Sequence, residues 1–236
     1  MSQTEIARFD VAGRSIAYRL RAGKRPALMF LPGYASDMEG AKALALDAFA
    51  ERRGVTMLRL DYSGTGSSGG RFEGGTLALW LEEALAALDQ LTQGPLIVIG
   101  SSMGCWIALH VAQLRPERLR ALVGIASAPD FTDWGFTRDQ AAQLNDEARV
   151  TRAFWESGQR LRLFDQDDIA VSCPVRLVHG ERDEDVPLDV AFRTMRALRS
   201  SDVQLKVIKG GGHRLSEPHE IAAILDTVGS LLELEP

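Results

Sequence analysis

The sequence predicts an α/β protein, a mostly parallel sheet covered by helices on both faces, carried as one domain over residues 1–236. Three observations lead there. Short apolar runs alternate with longer segments of helical period. The chain has 236 residues, 45% of them hydrophobic, which suits one sizeable core. A glycine-rich turn, GSSMG at 100–104, joins an apolar run directly to a helical segment.

The first strand covers residues 15–21 and pairs antiparallel with 6–11; the second, 27–31, ends at the turn dipeptide Pro32-Gly33. A helix follows over 38–53, then a strand at 55–62, a helix at 76–91, a strand at 96–100, a helix at 103–114 and a strand at 121–126. From 129 to 172 the rhythm breaks: the segment holds Phe131, Trp134, Phe136, Phe154, Trp155 and Phe164 with no clear strand. It is too long for a simple connection and reads as a short helical cap inserted between two strands, although aromatics at helical spacing also build plain core. Strands at 175–179 and 203–208 and helices at 188–198 and 217–232 complete the chain, the last helix with Ser216 as N-cap and Pro218 in its first turn.

A net charge of −5 with dispersed Lys and Arg leaves no basic stripe for nucleic acid. Residues 1–10 lack the charged and apolar regions of an export signal, and no run approaches the roughly 18–20 apolar residues of a membrane span. The expected location is the cytoplasm. Cys105 and Cys173 stand in no ligand spacing, so neither a disulfide framework nor a metal site is expected.

Two stretches fit G-x-S-x-G, GSSGG at 66–70 and GSSMG at 100–104. The strand LIVIG runs straight into the second and MGCWIALHVAQL continues it as a helix, so Ser102 occupies the strand-to-helix turn that exposes a nucleophile. After the first come Arg71, Phe72, Glu73, Gly74 and Gly75 before any helical pattern, which makes Ser68 a loop residue. An acid and a base must follow the nucleophile in that order. VRLVHG ends in ERDEDVP, at the sheet edge where α/β proteins present their ligands; Asp183 is the choice, with Glu184 and Asp185 as rivals. Of the four histidines, His110 lies inside a helix, His179 ends a strand and His219 starts a helix. His213 alone sits in the flexible loop VIKGGGHRL, where an imidazole can reach over the rim. The backbone N–H groups of Met103 and of Tyr34, after Gly33, suit an oxyanion hole.

LPGYASDMEG, LRLDYSGTGSSGG, GPLIVIGSSMGCWIALH with RPERLRALVGIA, and CPVRLVHGERDEDVP together resemble the α/β-hydrolase family that contains mitochondrial acyl-protein (palmitoyl-protein) thioesterases and acyl-glucuronide esterases with their bacterial relatives. The similarity covers most of 27–128 and 173–216. It implies an α/β-hydrolase fold, Ser102, Asp183 and His213 as the triad, and Tyr34 and Met103 at the oxyanion hole. The implied activity is hydrolysis of small-molecule acyl esters or thioesters, or of an S-acylated protein, without a cofactor. Two departures stand out. Cys105 takes the place of a second glycine after GSSMG, and its side chain presses on the helix packing beneath the turn; the cap is also shorter than in the mammalian relatives. A non-catalytic binding protein of the same fold, and an amidase or peptidase with the same triad, are the alternatives.

Overall fold

The computed structural model describes residues 4–234; residues 1–3, part of the stretch read for an export signal, and 235–236 lie outside the described residues. The strands are β1 (Ala7–Val11), β2 (Arg14–Arg21), β3 (Lys24–Leu31), β4 (Val55–Leu60), β5 (Leu96–Ser101), β6 (Leu119–Ile125), β7 (Val175–Gly180) and β8 (Val203–Ile208). They form one eight-stranded sheet in the order β1-β2-β4-β3-β5-β6-β7-β8. β2 runs antiparallel to β1 and β4, and every other pair is parallel.

The longer helices are α1 (Ala41–Arg53), α2 (Leu77–Leu91) and α3 (Met103–Leu114). Three short ones, α4 (Phe131–Trp134), α5 (Arg138–Ala142) and α6 (Arg152–Arg160), lie between β6 and β7, and α7 (Leu188–Ala197) and α8 (Pro218–Leu232) follow. The apolar runs of the central strands are continuous because both faces are covered. Met29, Leu31, Leu96, Val98 and Leu122 pack with α2 and α3 residues such as Leu88 and Trp106. Their alternates Leu28, Phe30, Ile97, Ile99 and Val123 pack with Leu46, Phe49, Ile224 and Val228 of α1 and α8.

Two helix starts differ from the periodicity. α1 begins at Ala41, not Met38, because Met38 is held by both backbone groups: its N–H donates to Asp61 Oδ1 at 2.7 Å and its carbonyl accepts from Arg59 Nη1 at 2.6 Å. α8 is capped by Glu217, not Ser216. The Glu217 carboxylate takes the N–H of Glu220, and Glu220 Oε2 takes the N–H of Glu217 at 2.9 Å, a reciprocal box the serine cannot form from one position earlier.

The loop from Asp61 to Gly70 is organised from within. The buried Asp61 carboxylate accepts from Met38 and Ser67 N–H, and Ser68 Oγ donates to Asp61 O at 2.6 Å while accepting Ala17 N–H at 2.8 Å. Ser68→Ala removes both of the Ser68 bonds and leaves the Ala17 N–H unpaired, so urea unfolding is expected to show a loss of about 1–3 kcal/mol. An unchanged midpoint would show that the loop does not depend on that hydroxyl.

Candidate active site

β5 ends at Ser101, Ser102 turns the chain and α3 begins at Met103. Ser102 has φ 53° and ψ −120°, a conformation that costs a non-glycine residue about 1–3 kcal/mol. Its backbone is pinned on both sides. The Ser102 N–H donates to Ile125 O at 2.8 Å, and its carbonyl accepts from Cys105 N–H at 3.0 Å and Ala128 N–H at 3.3 Å. The two glycines of the motif are required by proximity: a Cβ on Gly100 would lie 2.4 Å from Cys105 Cα, and one on Gly104 would lie 2.1 Å from Leu31 O.

Cys105, the departure from the family pattern, is accommodated by a glycine on the next strand. Its sulfur fills the space that a Gly124 side chain would take, 2.7 Å from where that Cβ would stand, and accepts Ser127 Oγ–H at 3.0 Å. Burial pushes the Cys105 thiol up to about 12, so it stays protonated.

The structure brings Ser102, His213 and Asp183 together. His213 Nε2 lies 3.1 Å from Ser102 Oγ, and His213 Nδ1 lies 2.9 Å from Asp183 Oδ2. Asp183 Oδ1 accepts the N–H groups of Val186 at 2.8 Å and Asp185 at 3.0 Å. The Asp183 side chain is fully buried. Burial drives its carboxyl upward, but the hydrogen bonds from His213 and the Val186 N–H outweigh it, and the carboxyl ends below its ordinary value. Glu184 and Asp185 stay exposed, Asp185 contributing its backbone N–H. Asp183, Asp185 and His213 offer one donor atom each within 4.8 Å of one another. A hard cation there would compete with the imidazole for Asp183.

The remaining histidines do other work. His110 and Trp106 on α3 both reach Leu161 O, at 2.9 Å and 3.1 Å, and so hold the end of α6. His179 is buried; desolvation lowers its pKa, and its Nε2–H donates to Val186 O at 2.9 Å, 3.5 Å from Asp183 Oδ2. It braces the acid's loop, a role that a strand-ending histidine did not announce in the sequence. His219 is exposed on α8. Lys42 Nζ donates to Arg214 O beside His213, another support that no local pattern signals.

Gly33 passes so close to the turn that a Cβ on it would stand 3.1 Å from Ser101 O and 3.3 Å from Ser102 Cβ, which puts Tyr34 next to the serine. Among the described residues neither Tyr34 N–H nor Met103 N–H is taken up by a loop hydrogen bond. Surface cavities lie within residues 129–172 and between that segment and the β4–α2 connection. One of about 550 Å³ is lined by Phe136, Ala141, Arg152 and Trp155 among others; one of about 540 Å³ is lined by Arg71, Phe72 and Arg149 among others. Neither lining includes Ser102 or His213.

The family model described as "alpha/beta hydrolase fold" matches residues 26–154. The chain belongs to the α/β-hydrolase family. This hydrolase is 34% identical to the human palmitoyl-protein thioesterase ABHD10, mitochondrial, in an alignment covering 93% of this chain and 77% of that protein. Mouse alpha/beta hydrolase domain-containing protein 10 superposes with a TM-score of 0.88 at 32% identity, covering 98% of this chain and 99% of that one. A putative hydrolase from Agrobacterium vitis S4 gives a TM-score of 0.88 at 36% identity with the same coverage. No helix among the described residues is long and apolar enough to cross a membrane.

The fit between Cys105 and Gly124 is testable as a pair. Gly124→Ala is expected to lower stability by about 1–3 kcal/mol, and adding Cys105→Ala to recover part of that loss. Strictly additive losses in a double-mutant cycle would show that the two positions do not share the space.

Proposed function

We propose that this hydrolase cleaves carboxylic esters or thioesters of acyl groups through a serine-bound acyl intermediate, with Ser102 as nucleophile, His213 as base and Asp183 as its orienting acid. The observation that carries the reading is the single imidazole spanning 3.1 Å to Ser102 Oγ and 2.9 Å to Asp183 Oδ2. That spacing suits transfer of the hydroxyl proton to Nε2 as Oγ attacks the carbonyl carbon. Asp183, held ionised below its ordinary value, fixes the tautomer with the proton on Nδ1 and stabilises the imidazolium that forms. The N–H groups of Tyr34 and Met103 receive the negative oxygen of the tetrahedral intermediate. His213 returns its proton to the departing alcohol or thiol. It then takes one from water, whose oxygen attacks the acyl carbon and frees Ser102.

In this reading the chain is one domain with residues 129–172 as a cap over the acyl chain. The human relative's name, a palmitoyl-protein thioesterase, favours long acyl groups and an S-acylated protein among the substrates.

A fluorophosphonate probe followed by peptide mapping is expected to mark Ser102. Ser102→Ala should lose on the order of 10⁴–10⁶ in turnover with its melting temperature retained. Asp183→Asn should keep the fold and lose about 10³–10⁴ through the wrong tautomer. A folded protein without an adduct would be the non-catalytic binding protein instead, and a crippling Asp185→Asn with a silent Asp183→Asn would move the acid two residues along.

Each buried CH₂ contributes roughly 0.8 kcal/mol, so kcat/KM for 4-nitrophenyl esters and acyl thioesters should rise from acetyl to butyryl and octanoyl. Matching anilides should turn over far more slowly, since an amide nitrogen needs a well-placed proton to leave. Chain-length independence would remove the cap from the binding site. Equal anilide turnover would make the protein an amidase.

A further inference from the structure

Tyr34 faces two ways. Its backbone belongs to the loop that touches Ser102, through Gly33. Its side chain leaves that loop and enters the segment between β6 and β7. The ring meets Phe154 edge-on at 4.7 Å and Phe131 at 6.1 Å, and the hydroxyl donates to Arg149 O at 2.7 Å. Phe72 at 5.1 Å and Trp80 at 5.8 Å also contact the ring, from the β4–α2 connection and α2. Burial pushes the hydroxyl up to about 12, the Thr151 backbone and Arg149 pulling it back only in part, so the group keeps its proton and remains a donor.

A residue needed only for its N–H gains nothing from such a cage. The cage has another consequence: Phe131, Arg149 and Phe154 all come from the cap segment, so a shift of that segment moves the Tyr34 ring, and with it the peptide beside Ser102. A donor N–H displaced by about 1 Å loses most of its hold on an oxyanion. Resting on the serine-hydrolase reading of the same site, we propose that the Tyr34 side chain is a positioning element that couples occupancy of the cap to the oxyanion hole. An acyl chain packed under residues 131–154 sets the Tyr34 N–H in place, so part of its binding energy appears as faster acyl transfer and not only as tighter binding.

The test separates kcat from KM along the ester series. Wild type is expected to gain about tenfold in kcat between acetyl and octanoyl esters. Tyr34→Phe, which keeps the ring and loses the bond to Arg149 O, should retain part of that gain. Tyr34→Leu should lose it, leaving only the KM trend. Trifluoromethyl ketones, which form a tetrahedral oxyanion on the serine, give an independent readout: the octyl compound should lose several-fold more affinity in Tyr34→Leu than the methyl compound does. Should Tyr34→Leu fail to fold, Phe131→Leu perturbs the same contact from the cap side and should also reduce the kcat gain. Equal kcat losses at every chain length, or a wild-type chain-length dependence in both Tyr34→Leu and Phe131→Leu, would overturn the coupling while fluorophosphonate labelling of Ser102 leaves the hydrolase reading standing. Absence of the Ser102 adduct would remove both.

Discussion

Ser102 can hold φ 53° and ψ −120° only because its surroundings offset a strain of about 1–3 kcal/mol. The offset comes from three directions. β6 accepts the Ser102 N–H, the first turn of α3 and the residues after β6 donate to its carbonyl, and Gly100 and Gly104 let strand and helix meet at distances no side chain would permit. The turn is therefore a property of β3, β5, β6 and α3 together. In exchange for that strain the hydroxyl stands clear of the strand, next to the first N–H of a helix and within reach of His213. Cys105 shows how closely the parts are adjusted: a side chain one step past the motif needs a glycine on the neighbouring strand.

His213 and Asp183 are placed by a second close approach at the same edge of the sheet. A Cβ on Gly180 at the end of β7 would stand 2.3 Å from Gly211 O, so the loops that carry Asp183 and His213 touch. The Arg182 N–H donates to Gly211 O at 2.8 Å, tying the two loops one residue before the acid. Asp183 is then surrounded by donors: two backbone N–H groups on one oxygen and the imidazole on the other. A fully buried carboxylate stays ionised only in such company. His179 completes the support from below, neutral through its burial and bonded to the carbonyl of Val186, whose N–H binds the acid.

Features written in local pattern were legible in the sequence. The apolar runs located the strands to within a few residues, and the passage from LIVIG into MGCWIALHVAQL located the turn at Ser102, because strand, glycines and helix are contiguous. Two helix starts were less legible. Met38 has helical spacing, but its peptide is captured by Asp61 and Arg59, residues more than twenty positions away that no window on the sequence joins to it. Glu217 outcompetes Ser216 because Glu220 answers it, a reciprocity that the serine's good N-cap preference conceals. The match of Cys105 to Gly124 is long-range for the same reason, whereas His179 lies close to Asp183 in sequence and reaches its loop through the Val186 carbonyl, a turn contact that no motif marks. The aromatic content of 129–172 was visible, but not the division of its rings between Tyr34 and Trp80 on one side and Ala128, Val186 and Val190 on the other.

That segment is itself built unevenly, and the unevenness bears on how substrate range can vary. Its start is tied to its return, and the residue before it to the turn at Ser102. The buried Asp130 carboxylate accepts the N–H groups of Leu163 and Phe164, joining the start of the segment to its return, and Ala128 N–H reaches the Ser102 carbonyl. Asp130 lies in a left-handed turn, and burial raises its carboxyl, so its bonds to backbone N–H groups are what keep the position tolerable for an acid. Between these ends, residues 135–150 are mostly exposed and held by few contacts, among them the Thr137–Gln140 capping box, Arg152 to Ala142 O and Tyr34 to Arg149 O. If residues 129–172 cover an acyl chain as proposed, changes in that stretch would alter the cover without touching Asp130, the turn at Ser102 or the loops of Asp183 and His213. In the proposed reading, substrate preference and proton transfer would then rest on different parts of the chain, joined at Tyr34.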